Sequence, residues 1–187
     1  PRQIRKLHPE LYEAMAYGLS SVSAEPRQML DKITGSFSLE AYSDDVSYVM
    51  ARNYRDPDVL QAVKIKSSNP ILFTGGGILP TSLIAVAPRI VHVHPGYLPH
   101  VRGADGLLWS TLVRGRPGAA CFYMNEGIDT GEIIETMDLP PLAFDISDSV
   151  RPDDQMLYRS LFSFYDPLMR AKVFGDVLNH YDGQLPE

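Results

Sequence analysis

The feature that most constrains the fold is a pair of short strand-like runs, each closed by turn residues and each followed by a helical stretch. Pro70–Thr74 (PILFT) ends in Gly75-Gly76-Gly77, and Arg89–His94 (RIVHVH) ends in Pro95-Gly96. A short apolar run bounded by glycine reads as a buried strand. Pro80–Ala87 lies between the two and reads as a helix, and Leu107–Arg114 follows as another. Ala119–Met124 and Glu132–Met137 then read as strands joined by the turn Asn125–Gly131. This alternation predicts an α/β fold with a mostly parallel central sheet flanked by helices. Ligands of such sheets sit beyond the carboxyl ends of the strands. Three loops are assigned there: Gly75–Gly77, His94–Gly106 and Asn125–Gly131.

The flanking sequence is mostly helical in character. Residues 9–21 and 26–34 predict helices, and 35–44 a polar loop. Asp45–Arg52 (DVSYVMAR) is β-branched and aromatic and predicts a strand. Asp56–Lys66 opens with Asp-Pro-Asp, an acidic cap with proline in the first turn of a helix. The Pro- and Asp-rich stretch 139–152 predicts a surface connection. Residues 153–180 predict two helices, or one broken before Pro167. A chain of 187 residues with 44% hydrophobic content supports one domain with its own core. Its expected parts are a helical region over 1–44, a core over 45–139 and carboxy-terminal helices over 140–187.

Composition narrows the function. The net charge is −6 and no basic run is present, which disfavours a nucleic-acid partner. No apolar stretch approaches the ~18 residues of a membrane span, and no leader is visible. The single cysteine, Cys121, lies in the apolar run Ala119–Tyr123. It is expected to be a small buried core residue in a protein of the reducing cytoplasm.

The chemistry-bearing residues cluster in the predicted loops. His92 and His94 are two apart on a strand and therefore share a face, with Val91 and Val93 opposite. A histidine at a strand end beside a tight turn suits a general acid or base, since its ordinary pKa of ~6.5 needs little tuning. In Asn125-Glu126-Gly127-Ile128-Asp129-Thr130-Gly131, glycines flank a carboxylate and Ile128 anchors the loop. Asp129 is the natural partner for a histidine, whose charge and orientation it would fix. Gly75, Gly76 and Gly77, with Ile78 and Leu79, offer exposed backbone groups to a flat ligand; neither dinucleotide nor phosphate-loop glycine spacing is present. Arg102 suits an anionic group or a structural ion pair. His100 reads as a loop residue without a role.

Together these elements resemble the folate-dependent formyltransferases. That family carries Asn-x-His-Pro-Ser-x-Leu-Pro, then an Arg-Gly or Lys-Gly, and later an Asp-x-Gly element. Here His94-Pro95-Gly96-Tyr97-Leu98-Pro99, Arg102-Gly103 and Asp129-Thr130-Gly131 stand in the same order, within Val46–Leu139. The resemblance implies a Rossmann-like domain that moves a formyl group from N10-formyltetrahydrofolate to a primary amine of a small molecule. An amino sugar or another biosynthetic intermediate is the expected acceptor. It places the folate against Gly75–Leu79 and against Asn125, Gly127 and Ile128, with no metal. His94, Asp129 and His92 become the catalytic residues, and Arg102 and Tyr97 acceptor contacts. His94 would donate to the oxyanion or to the leaving nitrogen, and Asp129 would hold His94 charged and help move the amine's proton. The chain departs from the pattern at His92, where the family has asparagine, and at Gly96, where it has serine. Residues 1–40 read as helices where the family opens with a strand and a glycine-rich turn, which argues against glycinamide ribonucleotide as acceptor. Other readings of the same residues are a two-histidine, one-carboxylate metal site on His92, His94 and Asp129, a formyltetrahydrofolate hydrolase, and an inactive folate-binding module. The aromatic stripe Tyr158, Phe162, Phe164 and Tyr165 would serve the core or a homodimer contact.

Overall fold

A computed structural model describes residues 2–21, 23–35, 37–65, 69–141 and 152–186. Its amino-terminal part is helical: α1 (Arg2–Leu7), α2 (Pro9–Gly18) running into a 3-10 turn at Leu19–Ser21, and α3 (Pro26–Thr34). Proline in the first turn starts both α2 and α3, where its missing N–H costs nothing. After α4 (Pro57–Ile65) comes the layered part. It comprises β1 (Ile71–Leu72), α5 (Thr81–Val86), β2 (Ile90–His94), α6 (Gly106–Arg114), β3 (Gly118–Tyr123) and β4 (Ile133–Asp138). The chain closes with α7 (Asp154–Ser160), a π-helical segment at Leu161–Tyr165, and α8 (Asp166–His180).

The expected central sheet with flanking helices is present, and its strands lie in chain order. Its direction is mixed. β1 pairs with β2 in parallel, whereas β2–β3 and β3–β4 are antiparallel. The mostly parallel expectation is therefore corrected at β3 and β4. The link between them, Asn125–Gly131, is too short for the crossover that parallel neighbours need. β3 thus delivers this loop at the end of the sheet away from the carboxyl end of β2.

Strand alternation sorts the two faces. Val91, Val93, Ala119 and Cys121 join one core with Leu11, Met15 and Leu19 of the amino-terminal helices and with Phe164, Tyr165, Val173 and Val177 of the carboxy-terminal ones. Cys121 is fully buried, as expected, and burial pushes its thiol pKa up to about 11, which leaves it an inert thiol. Ala120 and Phe122 face the other way, against Leu98. The expected break before Pro167 takes the form of the π-helical segment, whose wider turn precedes a residue that lacks an N–H to give. Of the carboxy-terminal aromatic stripe, Phe164 and Tyr165 are buried in the core, while Tyr158 and Phe162 stack on each other at the surface.

The strand expected at Asp45–Arg52 does not form. These residues run without regular structure, with Tyr48 and Met50 exposed. They lie against no sheet edge, and strand character without a pairing partner yields no strand. Residues 142–151 of the expected 139–152 connection lie outside the described residues.

Gly131 shows how tightly the β3–β4 link closes. A Cβ at this position would sit 1.6 Å from the carbonyl oxygen of Tyr123. Gly131→Ala is expected to cost at least about 3 kcal/mol, the upper range for overpacking. Gly76→Ala, where a Cβ meets nothing within 4 Å, is expected to change stability by under about 0.5 kcal/mol. Urea unfolding of the two variants checks the contrast.

Candidate active site

β2 carries His92 and His94 on the face opposite its valines. His94 ends the strand and is 3% exposed. Its Nε2 lies 3.0 Å from the carbonyl oxygen of Val101, which only accepts, so Nε2 carries a proton. The ring fits there because two neighbours lack side chains. A Cβ on Gly96 would stand 2.5 Å from Nε2, and one on Gly106 would stand 2.9 Å away. The serine of the resembling family, placed at Gly96, would meet the ring.

Asp129 approaches His94 from the other side. It sits at φ 49°, in the left-handed region that aspartate tolerates in turns. Its Oδ2 accepts the Gly103 N–H at 2.8 Å and lies 3.5 Å from His94 Nδ1. One carboxylate oxygen thereby joins the end of β2, the Arg102-Gly103 loop and the β3–β4 loop. The β3–β4 loop reaches this point by folding back over the histidine face. It is held in that shape by Asn125, whose Oδ1 accepts from the Gly127 N–H at 2.9 Å and from Thr130 Oγ1 at 2.7 Å.

With Nε2–H committed to Val101, a neutral His94 turns the Nδ1 lone pair toward Asp129, and a second proton there completes an ion pair. Burial lowers the pKa of His94; Asp129 and the Val101 hydrogen bond oppose that shift. His92 is half-buried, and its Nδ1 donates to the carbonyl oxygen of Phe73 at 2.7 Å. Burial lowers its pKa as well, with the Phe73 hydrogen bond opposing. His92 lines a cavity of about 400 Å³ beside β1, as does Arg170 of α8. Arg170 is paired at 2.8 Å with the buried Asp166.

The remaining predicted residues divide. In the glycine turn, Gly77 has φ 93°, Gly76 accepts from the Tyr54 hydroxyl at 3.4 Å, and Leu79 is buried as an anchor. Ile78 and Ile128 are exposed, at 68% and 55%. Arg102 is exposed. Tyr97 is turned into the fold: the Arg114 guanidinium covers its ring at 3.4 Å and its N–H donates to Ser110 Oγ. His100 stacks loosely on Tyr97. Among the described residues no group of three or more His, Cys, Asp or Glu side chains is placed to hold a metal ion. No helix among them is long and apolar enough to cross a membrane.

Sequence reasoning missed the backbone partners, the carbonyls of Phe73 and Val101 and the N–H of Gly103, which have no residue-type signature. It also missed Asp166 and Arg170, although their i, i+4 spacing of opposite charge on a helix was a readable signal.

These features bring a buried histidine and a carboxylate together on the face of an α/β layer, beside a hairpin loop that carries the carboxylate. The family model described as formyl transferase matches residues 20–151, and the chain belongs to that family. The methionyl-tRNA formyltransferase of Syntrophus aciditrophicus is 29% identical over 142 residues, 71% of this chain and 45% of that protein. The chain thus spans less than half the length of this relative. Among solved structures, phosphoribosylglycinamide formyltransferase from Streptococcus pneumoniae TIGR4 is similar with a TM-score of 0.48 and 23% identity, covering 66% of this chain and 64% of that one. A formyltransferase from Anoxybacillus kamchatkensis, in complex with UDP-4,6-dideoxy-4-formamido-L-AltNAc and tetrahydrofolate, is similar with a TM-score of 0.43 and 25% identity, covering 78% and 73%.

The buried histidines make stability pH-dependent. Their folded pKa values lie below the ordinary 6.5, so the unfolded chain binds more protons as pH falls through that value. Stability is then lost on acidification through the histidine range. Asp166, raised above 3.8 by burial, acts in the opposite sense. Comparison with a variant isolates one histidine. The urea midpoint of the natural chain is expected to fall more between pH 7.5 and 5.5 than that of His92→Gln; equal falls would contradict the assignment.

Proposed function

We propose that the chain catalyses transfer of a formyl group from N10-formyltetrahydrofolate to a primary amine of a small molecule. The observation that carries this reading is the shared oxygen of Asp129. It draws together the His94, Gly103 and Asp129 segments, the same three through which the sequence resembles the family. Formyl transfer needs a neutral amine, a place for its proton, and a donor for the leaving nitrogen. His94 with Asp129 supplies a protected proton site, in which Asp129 and the Val101 hydrogen bond favour the charged ring against burial. His92 is the second histidine of the site.

The glycine turn and the hairpin loop suit the folate chemically. A flat heterocycle needs backbone hydrogen-bonding groups and apolar cover. Gly76 and Gly77 leave backbone exposed, and Ile78 and Ile128 are unburied apolar side chains. The side-chain oxygen of Asn125 is spent on its own loop, so Asn125 would contribute through its amide nitrogen or its backbone. Arg102 is exposed beside Gly103, whereas Tyr97 is committed to packing.

A net charge of −6 favours a small acceptor over a polyanion. An amino sugar or a similar intermediate of a cytoplasmic biosynthetic route fits. A second reading, methionyl-tRNA as acceptor, is favoured by the names of relatives such as those of Syntrophus aciditrophicus and Clostridioides difficile. Salt-dependent tRNA binding would support that reading instead.

Calorimetry on chelator-treated protein tests the folate site. Micromolar binding of N10-formyltetrahydrofolate is expected, and Asp129→Ala should lower formyl transfer by about 10²–10⁴-fold, the usual worth of positioned acid–base groups. No binding, together with stoichiometric zinc or iron in untreated protein, would overturn the reading.

A further inference from the structure

His92 occupies the place where the resembling family carries asparagine, an amide whose N–H donates. The geometry here gives His92 a different capacity. The carbonyl oxygen of Phe73 only accepts, so the 2.7 Å contact fixes the ring proton on Nδ1. A neutral His92 then has a lone pair on Nε2 and no further N–H for an oxyanion. The rings of Phe73 and Phe122 pack beside it, at centroid distances of 5.7 and 5.9 Å, and hold this orientation.

His92 is among the residues that line the cavity of about 400 Å³ beside β1, with Val93 next to it on the strand. Much of the rest is apolar, including Leu72, Phe73, Pro167 and Phe174. The cation on this wall, Arg170, is already paired with Asp166, which is 4% exposed. A phosphate therefore finds no uncompensated positive charge here, whereas an uncharged amine finds both room and a base.

We propose that this cavity receives the amine acceptor and that Nε2 of His92 takes the proton of the attacking nitrogen. The inference rests on the formyl-transfer reading above. The amine lone pair forms a bond to the formyl carbon, and the carbonyl π pair moves onto oxygen. A proton leaves the attacking nitrogen for Nε2, making His92 an imidazolium. The oxygen pair then re-forms the carbonyl and the bond from the formyl carbon to N10 breaks. N10 takes the proton back from Nε2, leaving a formamide, tetrahydrofolate and neutral His92.

Burial lowers the pKa of His92, and its hydrogen bond to Phe73 opposes this. Burial acts most strongly against its charge, and Arg170 of α8 acts the same way. Asp129 of the hairpin loop and Asp166 of α8 oppose them. His94 lies two residues away on the same strand.

Nitrogen-15 histidine labelling of the full chain, with the His92 signal assigned by His92→Gln, reads the tautomer without any turnover. The Nδ1–H form is expected at pH 7.5, with Nε2 unprotonated and the imidazolium appearing on acidification. An Nε2–H tautomer, or an imidazolium at pH 7.5, overturns the role given to His92. Aniline, neutral at this pH, probes the cavity. It should shift the His92 ring signals more than phenyl phosphate does, and Ala171→Phe should abolish the shift. Ala171 is exposed where it lines the cavity, so the larger ring fills the space without entering the core. No shift with aniline, a larger one with phenyl phosphate, or persistence in Ala171→Phe overturns the acceptor site. Absence of folate binding would sink formyl transfer itself and leave the tautomer readable. Folate binding and formamide production with an Nε2–H tautomer would sink only the part assigned to His92.

Discussion

The contact on which the site depends is the one made by a single oxygen of Asp129. It accepts the Gly103 N–H at 2.8 Å and stands 3.5 Å from His94 Nδ1. Three stretches of chain meet there: the end of β2, the Arg102-Gly103 loop and the β3–β4 loop. The antiparallel course of β3 sends the hairpin loop away from the carboxyl end of β2. The internal bonds of Asn125 and the close approach of Gly131 to Tyr123 turn it back over the histidine face. A hydrogen bond to a charged acceptor is worth more than a neutral one, about 1.5–3 kcal/mol. At 15% side-chain exposure, Asp129 keeps much of that strength.

The two histidines of β2 are held in opposite relations to their surroundings. His94 is enclosed, its Nε2–H spent on Val101 and its Nδ1 facing a carboxylate. His92 is half-buried, its Nδ1–H spent on Phe73, and it borders a cavity. Strand alternation puts both on one face, while the backbone carbonyl that each ring meets decides which nitrogen carries the proton. Glycine at positions 96 and 106 admits the His94 ring to its place.

Much of this was legible in the sequence, for local reasons. The helix at Pro26–Thr34 matches its expected limits because proline starts it and glycine follows it. β2 and α6 fall within a residue of expectation, since turn residues bound them. The same-face placement of His92 and His94 followed from the period of a strand. What the sequence did not convey depends on partners. Asp45–Arg52 has the composition of a strand, yet it joins no ladder of the sheet. β1 shortens to Ile71–Leu72 at an open sheet edge. The direction of β3, the carbonyls that meet each imidazole, and the inward turn of Tyr97 under Arg114 are likewise set by chain segments distant in sequence.

Amide hydrogen exchange at Gly103 tests the organising contact most directly. Gly103 lies in a loop with no ladder or helix to protect it, so protection there reports the bond to Asp129. The account predicts a Gly103 amide that exchanges far more slowly than its loop neighbours in the natural chain, and as fast as they do in Asp129→Ala. Rapid exchange at Gly103 in the natural chain, or protection that survives loss of the carboxylate, would contradict it.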